Sequence, residues 1–299
     1  MTIESQSIED KLNSSDWKVR LECALAEDFV PTPAQIERGL LDIEPRVRLA
    51  WAERTDFILT PEQVERGLTD EDAYVVNAFM RREDYTPTPE QIERGLTDPR
   101  GNVRNAWAHK GGFIPTSEQV ERGLLELSSL IKITWAQRMD FTPTPEQVER
   151  GLTDKSSNVR NAWAMRHDFT PTPEQVDRGV RDTDWNVRRT WAKRMDFTPT
   201  PAQVERGLTD ERVDIRLFWA SRLDYTPTKE QIHRGLQDDQ AVAMAWIKRN
   251  DIVWTEEQIQ AGLQHKHALV REAWRRVVEQ QNASHSDFHE HYDIRSISL

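Results

Sequence analysis

A chain of 299 residues with 51 acidic against 40 basic side chains, net charge −11, lacks the basic balance of a generic nucleic-acid binder. One cysteine, Cys23, excludes an internal disulfide, and no apolar run reaches membrane-spanning length. The first residues lack the basic and apolar regions of a secretion signal, so a soluble cytoplasmic protein with no membrane partner is expected.

In chain order, the first element is a degenerate unit. Ile8-Glu9-Asp10-Lys11-Leu12 aligns with Ile36-Glu37-Arg38-Gly39-Leu40, and Cys23 stands where Trp51 stands 28 residues later. From there a period of 28 governs the chain. Glycines fall at 39, 67, 95, 123, 151, 179, 207, 235 and 262. Aromatics fall at Trp51, Phe79, Trp107, Trp135, Trp163, Trp191, Trp219, Trp246 and Trp274. One deletion near 238–240 explains the single step of 27 in each column.

Each unit predicts two helices. The first begins at T-P-E-Q: Thr144 caps, Pro145 suits the first helical position, and Gln147 completes a capping box. Val148 and Leu152 give it one apolar face and it ends near Asp154. The second covers roughly Ser157 to Arg166, with Val159, Ala162 and Trp163 on its apolar face. Asp168-Phe169-Thr170-Pro171 then breaks the helix. Ten such copies make residues 1–278 an all-α solenoid of stacked repeats, with 279–299 a tail outside the repeat.

The second-helix motif L-T-D-x-x-x-N-V-R-N-A-W-A, Leu152 to Ala164, resembles HEAT-like repeats and, more closely, the leucine-rich-repeat variant. The T-P-E-Q start is similar to that variant's proline-rich lead-in. The resemblance covers residues 1–278; it departs in the short 28-residue unit and in the tryptophan column. It implies a right-handed α-solenoid of about ten two-helix repeats, second helices lining the concave side. It implies no activity.

Three cationic columns run along the chain. The first is Arg38, Arg66, Arg94, Arg122, Arg150, Arg178, Arg206 and Arg234; Glu62, Glu90, Glu118, Glu146, Glu174 and Glu230 stand four residues before six of them in their own helices, an intrahelical pairing. Arg20, Arg48, Arg104, Lys132, Arg160, Arg188, Arg216 and Arg271 follow acids such as Asp42, Asp98 and Glu126; the resemblance implies a ladder between repeats. Against it, Asp70 faces Val76 and Asp238 faces Ala243 in their own copies. Arg54, Arg82, Lys110, Arg138, Arg166, Arg194, Arg222 and Arg249 close the second helices, where cations complement the macrodipole.

The tryptophans, on the same face as Val159, read as core rather than as base-stacking platforms. HEAT-like DNA glycosylases need exposed aromatics and a carboxylate in a basic concavity, and neither is singled out here. No phosphate loop, C-x-x-C or H-E-x-x-H is present. His285 and His289 could meet a metal on one helix face, but a flexible tail is the plainer reading. No catalytic residue, metal site or cofactor is expected.

Function therefore falls to the outward positions of the second helices that vary between copies. The binding candidates are Tyr74, Asn77, Asn102, Asn105, His109, Asn158, Asn161, Asn186 and Arg189, rich in carboxamides that both donate and accept. A non-enzymatic protein-binding scaffold is the expectation; a nucleic-acid-associated solenoid using the arginine columns is the alternative. The helical glycine costs about 1 kcal/mol against alanine. Its retention predicts a seat for a tryptophan ring, so that Gly151→Leu destabilises.

Overall fold

The computed structural model describes residues 7–26 and 29–293, with side chains to residue 280. Among them are twenty α-helices and no strand, gathered into two compact units, Met1–Gly151 and Leu152–Leu299.

The first unit holds α1 (Ile8–Leu12), α2 (Trp17–Leu25), α3 (Pro33–Leu40), α4 (Pro45–Glu53), α5 (Pro61–Leu68), α6 (Ala73–Arg81), α7 (Pro89–Leu96), α8 (Gly101–His109), α9 (Ser117–Leu124) and α10 (Ser129–Gln137). Helix α11 (Pro145–Leu152) follows. The second unit holds α12 (Ser157–Ala164), α13 (Pro173–Val180), α14 (Trp185–Lys193), α15 (Pro201–Leu208), α16 (Val213–Ser221), α17 (Lys229–Leu236), α18 (Gln240–Ile247), α19 (Glu256–Leu263) and α20 (Ala268–Asp293). The deletion lies in the turn between α17 and α18. Helix α12 stops two residues earlier than its pattern predicts, and α20 continues into the tail.

Every first helix from α3 to α19 starts at its threonine. The Thr hydroxyl accepts from the Gln backbone N–H, and the Gln Oε1 accepts from the Thr N–H. The glycines seat rings of their own repeat. A Cβ on Gly39 would stand 2.3 Å from Trp51 Cε2, and one on Gly95 2.3 Å from Trp107 Cε2. Gly67 receives Phe79; Gly123, Gly179, Gly207, Gly235 and Gly262 receive tryptophans. All nine rings are at most 2% exposed. Burying roughly 200 Å² of indole contributes up to about 5 kcal/mol, against about 1 kcal/mol for each glycine.

The capping glutamine also reaches outward. Gln63 Nε2 donates to Glu37 in the preceding repeat (2.8 Å), and Arg66 donates to the same carboxylate (2.8 Å). The arrangement recurs at Gln91 and Arg94 on Glu65, Gln119 and Arg122 on Glu93, Gln147 and Arg150 on Glu121, and Gln231 and Arg234 on Glu205. These bonds hold Glu37 below the ordinary glutamate pKa. The expected pairing of these arginines with the glutamate four residues earlier is thus corrected: the guanidinium bonds the neighbouring repeat, where the glutamine is already held beside the same acid. Asp177, one methylene shorter, leaves that pattern; it pairs with Arg181 (3.0 Å), and Arg206 turns to Asp210 (3.5 Å).

The second column forms the ladder expected between repeats. Arg48 donates bidentately to Asp70 (2.8 and 2.8 Å) and through Nη1 to Asp42 O (2.9 Å). Arg20–Asp42, Arg104–Glu126, Arg160–Asp182, Arg188–Asp210 and Arg216–Asp238 match it. Asp70 and Asp238 therefore have their arginines one repeat earlier, which removes the objection raised by Val76 and Ala243. Where Val76 does break the ladder, Arg100 replaces it from the other side. Arg100 grips Asp98 (2.9 and 2.8 Å) and donates to Asp70 O and Glu71 O (2.9 Å each).

Within each unit the second helices of successive repeats, such as α4, α6, α8 and α10, pack closer than the first helices do. Each unit therefore curves with its second helices on the inner side.

Candidate functional site

The inner face is held together where each second helix ends. Arg82, at the end of α6, is 9% exposed. Its Nη1 donates to Ala52 O (3.0 Å) and to Arg54 O, and its Nη2 to Phe57 O (2.8 Å). Its Nε and Nη2 hold Asp84 (2.9 and 2.5 Å), and the guanidinium lies 5.4 Å from the Phe57 ring centroid. Arg54, Arg138, Arg194, Arg222 and Arg249 repeat this staple. The column is thus more than the local macrodipole complement read from sequence. It satisfies the last carbonyls of the preceding second helix, which a helix end leaves without intrahelical partners.

One joint departs. At the end of α8 the Arg-x-Asp pattern becomes Lys110-Gly111-Gly112. Lys110 Nζ donates to Met80 O (2.6 Å) and lies 5.3 Å from the Tyr85 ring centroid. Burial holds its ammonium below the ordinary lysine pKa, with Glu83 opposing. Gly112, with φ +87°, stands where the aspartate would, and a Cβ at Gly111 or Gly112 would meet nothing within 4 Å. Beside this thinned joint a cleft of about 630 Å³ opens along α6 and α8. Asn77, Arg81, Asn102, Asn105, His109 and Lys110 line it.

Residues 146–162 match the family model "HEAT repeat associated with sister chromatid cohesion". A solved structure described as a leucine-rich repeat variant with a novel repetitive structural motif is similar over 82% of this chain and 86% of its own, at 23% identity and a TM-score of 0.54. No curated protein matches the chain. The chain folds as an α-solenoid of two-helix repeats, similar in fold to that leucine-rich repeat variant. Such solenoids typically present extended surfaces that serve as protein-interaction scaffolds.

In this solenoid four of the nine candidate residues come together: Asn77, Asn102, Asn105 and His109 line the one cleft. Tyr74 is exposed on α6 outside that lining. In the second unit Asn161 Oδ1 accepts from Thr190 Oγ1 (2.7 Å), and Arg189 stands 3.3 Å from Asp214 and 5.7 Å from the Phe218 ring centroid. Those two side chains brace neighbouring helices. Asn158 and Asn186 are exposed on α12 and α14. Lys110, Arg81 and Ala106 also line the cleft, with Met80, Glu83, Gly111 and Leu130, and lie outside the nine candidates. The break in the Arg-x-Asp column at 110–112 was the signal for them.

Helices α6, α8 and α10 carry no aspartate or glutamate, whereas α5, α7 and α9 carry two glutamates each. The acidity of the chain is thus kept off the helices that form the cleft face. Among the described residues no helix is long and apolar enough to cross a membrane, and no group of three or more His, Cys, Asp or Glu is placed to hold a metal ion. The side chains of His285 and His289 lie outside the described residues.

Proposed function

We propose that this solenoid is a non-enzymatic cytoplasmic scaffold that binds a protein partner through its second-helix face, centred on the cleft beside Lys110. The observation that carries the reading is the convergence of Asn77, Asn102, Asn105 and His109 on one cleft. Carboxamides both donate and accept, which suits a polypeptide main chain. The competing nucleic-acid reading relies on the arginine columns, and most of those guanidinium groups are committed to Glu37, Asp70, Asp84 and their equivalents. A photo-cross-linking side chain placed at Asn102 should capture a protein from the native host, and one placed at the exposed Glu90 of α7 should not. With that partner in hand, Asn105→Trp should weaken binding strongly and Arg189→Glu less. Unchanged binding in both variants would remove the face assignment. Affinity for DNA that falls steeply with salt would favour the competing reading instead.

A further inference from the structure

The second-helix face contains a column in which a side chain meets the residue 29 positions later, on the next second helix. Asn105 Oδ1 accepts from Thr134 Oγ1 (2.9 Å), and Asn161 Oδ1 from Thr190 Oγ1 (2.7 Å). Arg189 meets the Phe218 ring at 5.7 Å. The two asparagine–threonine pairs are hydrogen-bonded across the joint, whereas Arg189 Nε, beside the Phe218 ring, has no hydrogen-bond partner. Asn77 is the exception: its counterpart is Ala106, which has nothing to donate. Asn77 Oδ1 is buried with no hydrogen-bond partner. Leaving a buried polar atom unsatisfied is unfavourable, and the residue that carries it lines the cleft together with Ala106.

The cleft lining that includes Asn77 also carries two cations, Arg81 and Lys110. Arg81 is exposed on α6, and Lys110, half-buried, donates one hydrogen bond, to Met80 O. Glu83 is the one carboxylate of the lining, set against Arg81 and Lys110. A ligand that fills this site needs a hydrogen-bond donor for Asn77 and an anion for Arg81 and Lys110. A main-chain N–H with an acidic side chain beside it supplies both. The net charge of −11 alone points to a basic partner; the composition of this face points the other way.

We infer that the cleft takes an extended acidic segment of a partner protein, the Asn77 carboxamide turning outward so that its Oδ1 accepts from a main-chain N–H of the segment, and an aspartate or glutamate carboxylate resting on Lys110 and Arg81. This rests on the scaffold reading above. The test titrates the full chain into a fluorescein-labelled peptide of alternating glutamate and serine, read by anisotropy. An alternating lysine–serine peptide and an oligothymidine strand are the comparison probes. The glutamate–serine peptide should bind best, and Lys110→Glu should weaken it about tenfold, the scale of one charge-assisted hydrogen bond. Ala106→Thr supplies the hydroxyl found at Thr134 and Thr190, so it should fold normally, keep or raise the melting temperature, satisfy Asn77 internally and weaken the peptide several-fold. Equal or tighter binding of either comparison probe, or unchanged affinity in both variants, overturns the inference. If the Asn102 cross-link forms while the glutamate–serine peptide fails to bind, the acidic ligand falls and the scaffold reading stands.

Discussion

Two consecutive joints of the same unit, at Arg82 and at Lys110, differ in three residues. At the first, a buried guanidinium spans three carbonyls and an aspartate. At the second, an ammonium reaches one carbonyl and two glycines follow it. The ring seat beneath is the same in kind, Phe79 on Gly67 and Trp107 on Gly95. Stacking therefore does not require the staple at every joint, and where it is given up a cleft opens. In a repeat array the informative residue is the one that breaks its column.

The largest effect should come from breaking the complete joint. Arg82→Ala leaves Asp84 and the carbonyls of α4 without their donor, an expected loss of about 3 kcal/mol, visible as faster amide exchange in α4 and α6. Next comes the shared seat. Gly95→Ala places a methyl 2.3 Å from the Trp107 ring. Overpacking of about 3 kcal/mol, less about 1 kcal/mol of helix propensity, predicts a net loss of about 2 kcal/mol by chemical denaturation. Gly111→Ala, in open space, should stay within about 0.5 kcal/mol. Rebuilding the thinned joint sharpens the comparison in the other direction. Lys110→Arg with Gly112→Asp should stabilise by about 1 kcal/mol or less, since the aspartate must relieve a positive φ, and it should narrow the cleft and weaken its ligand.

The smallest effect is in pH. Because burial depresses the Lys110 pKa from 10.5, the folded state binds the proton less tightly than the unfolded chain does. Its contribution is complete above pH 10.5 and is lost as pH falls through the lower folded value. The melting-temperature difference between Lys110→Arg and the parent chain should therefore shrink on going from pH 8 to pH 10.5. A constant difference would contradict the depressed value.

The repeat register, the capping boxes and the glycine seats were legible because each is set by a fixed spacing inside one repeat. The two columns matched glycine to aromatic ring but left open whether the ring came from the same or an adjacent repeat; the structure seats Trp51 on Gly39 of its own repeat. What was misread lies between repeats. A helical wheel offers Arg66 its own Glu62, and nothing in it shows Glu37, 29 residues away, already bonded to Gln63. The same blindness hid the three carbonyls under Arg82 and the rescue of the Val76 gap by Arg100. Asn77, Asn102, Asn105 and His109 were legible because they vary along the second helix. Lys110 was not, because it sits in a column that otherwise looks structural.

The dual use of the capping glutamine gives the array a direction. Gln63 closes the start of its own helix while anchored to Glu37, which belongs to the repeat before it. A repeat newly joined at the C-terminal end finds its anchoring glutamate already in place; one joined at the N-terminal end meets a cap that has been waiting without its anchor. Each such interface is thus asymmetric: the earlier repeat supplies the acid and the later one the helix cap that reaches it.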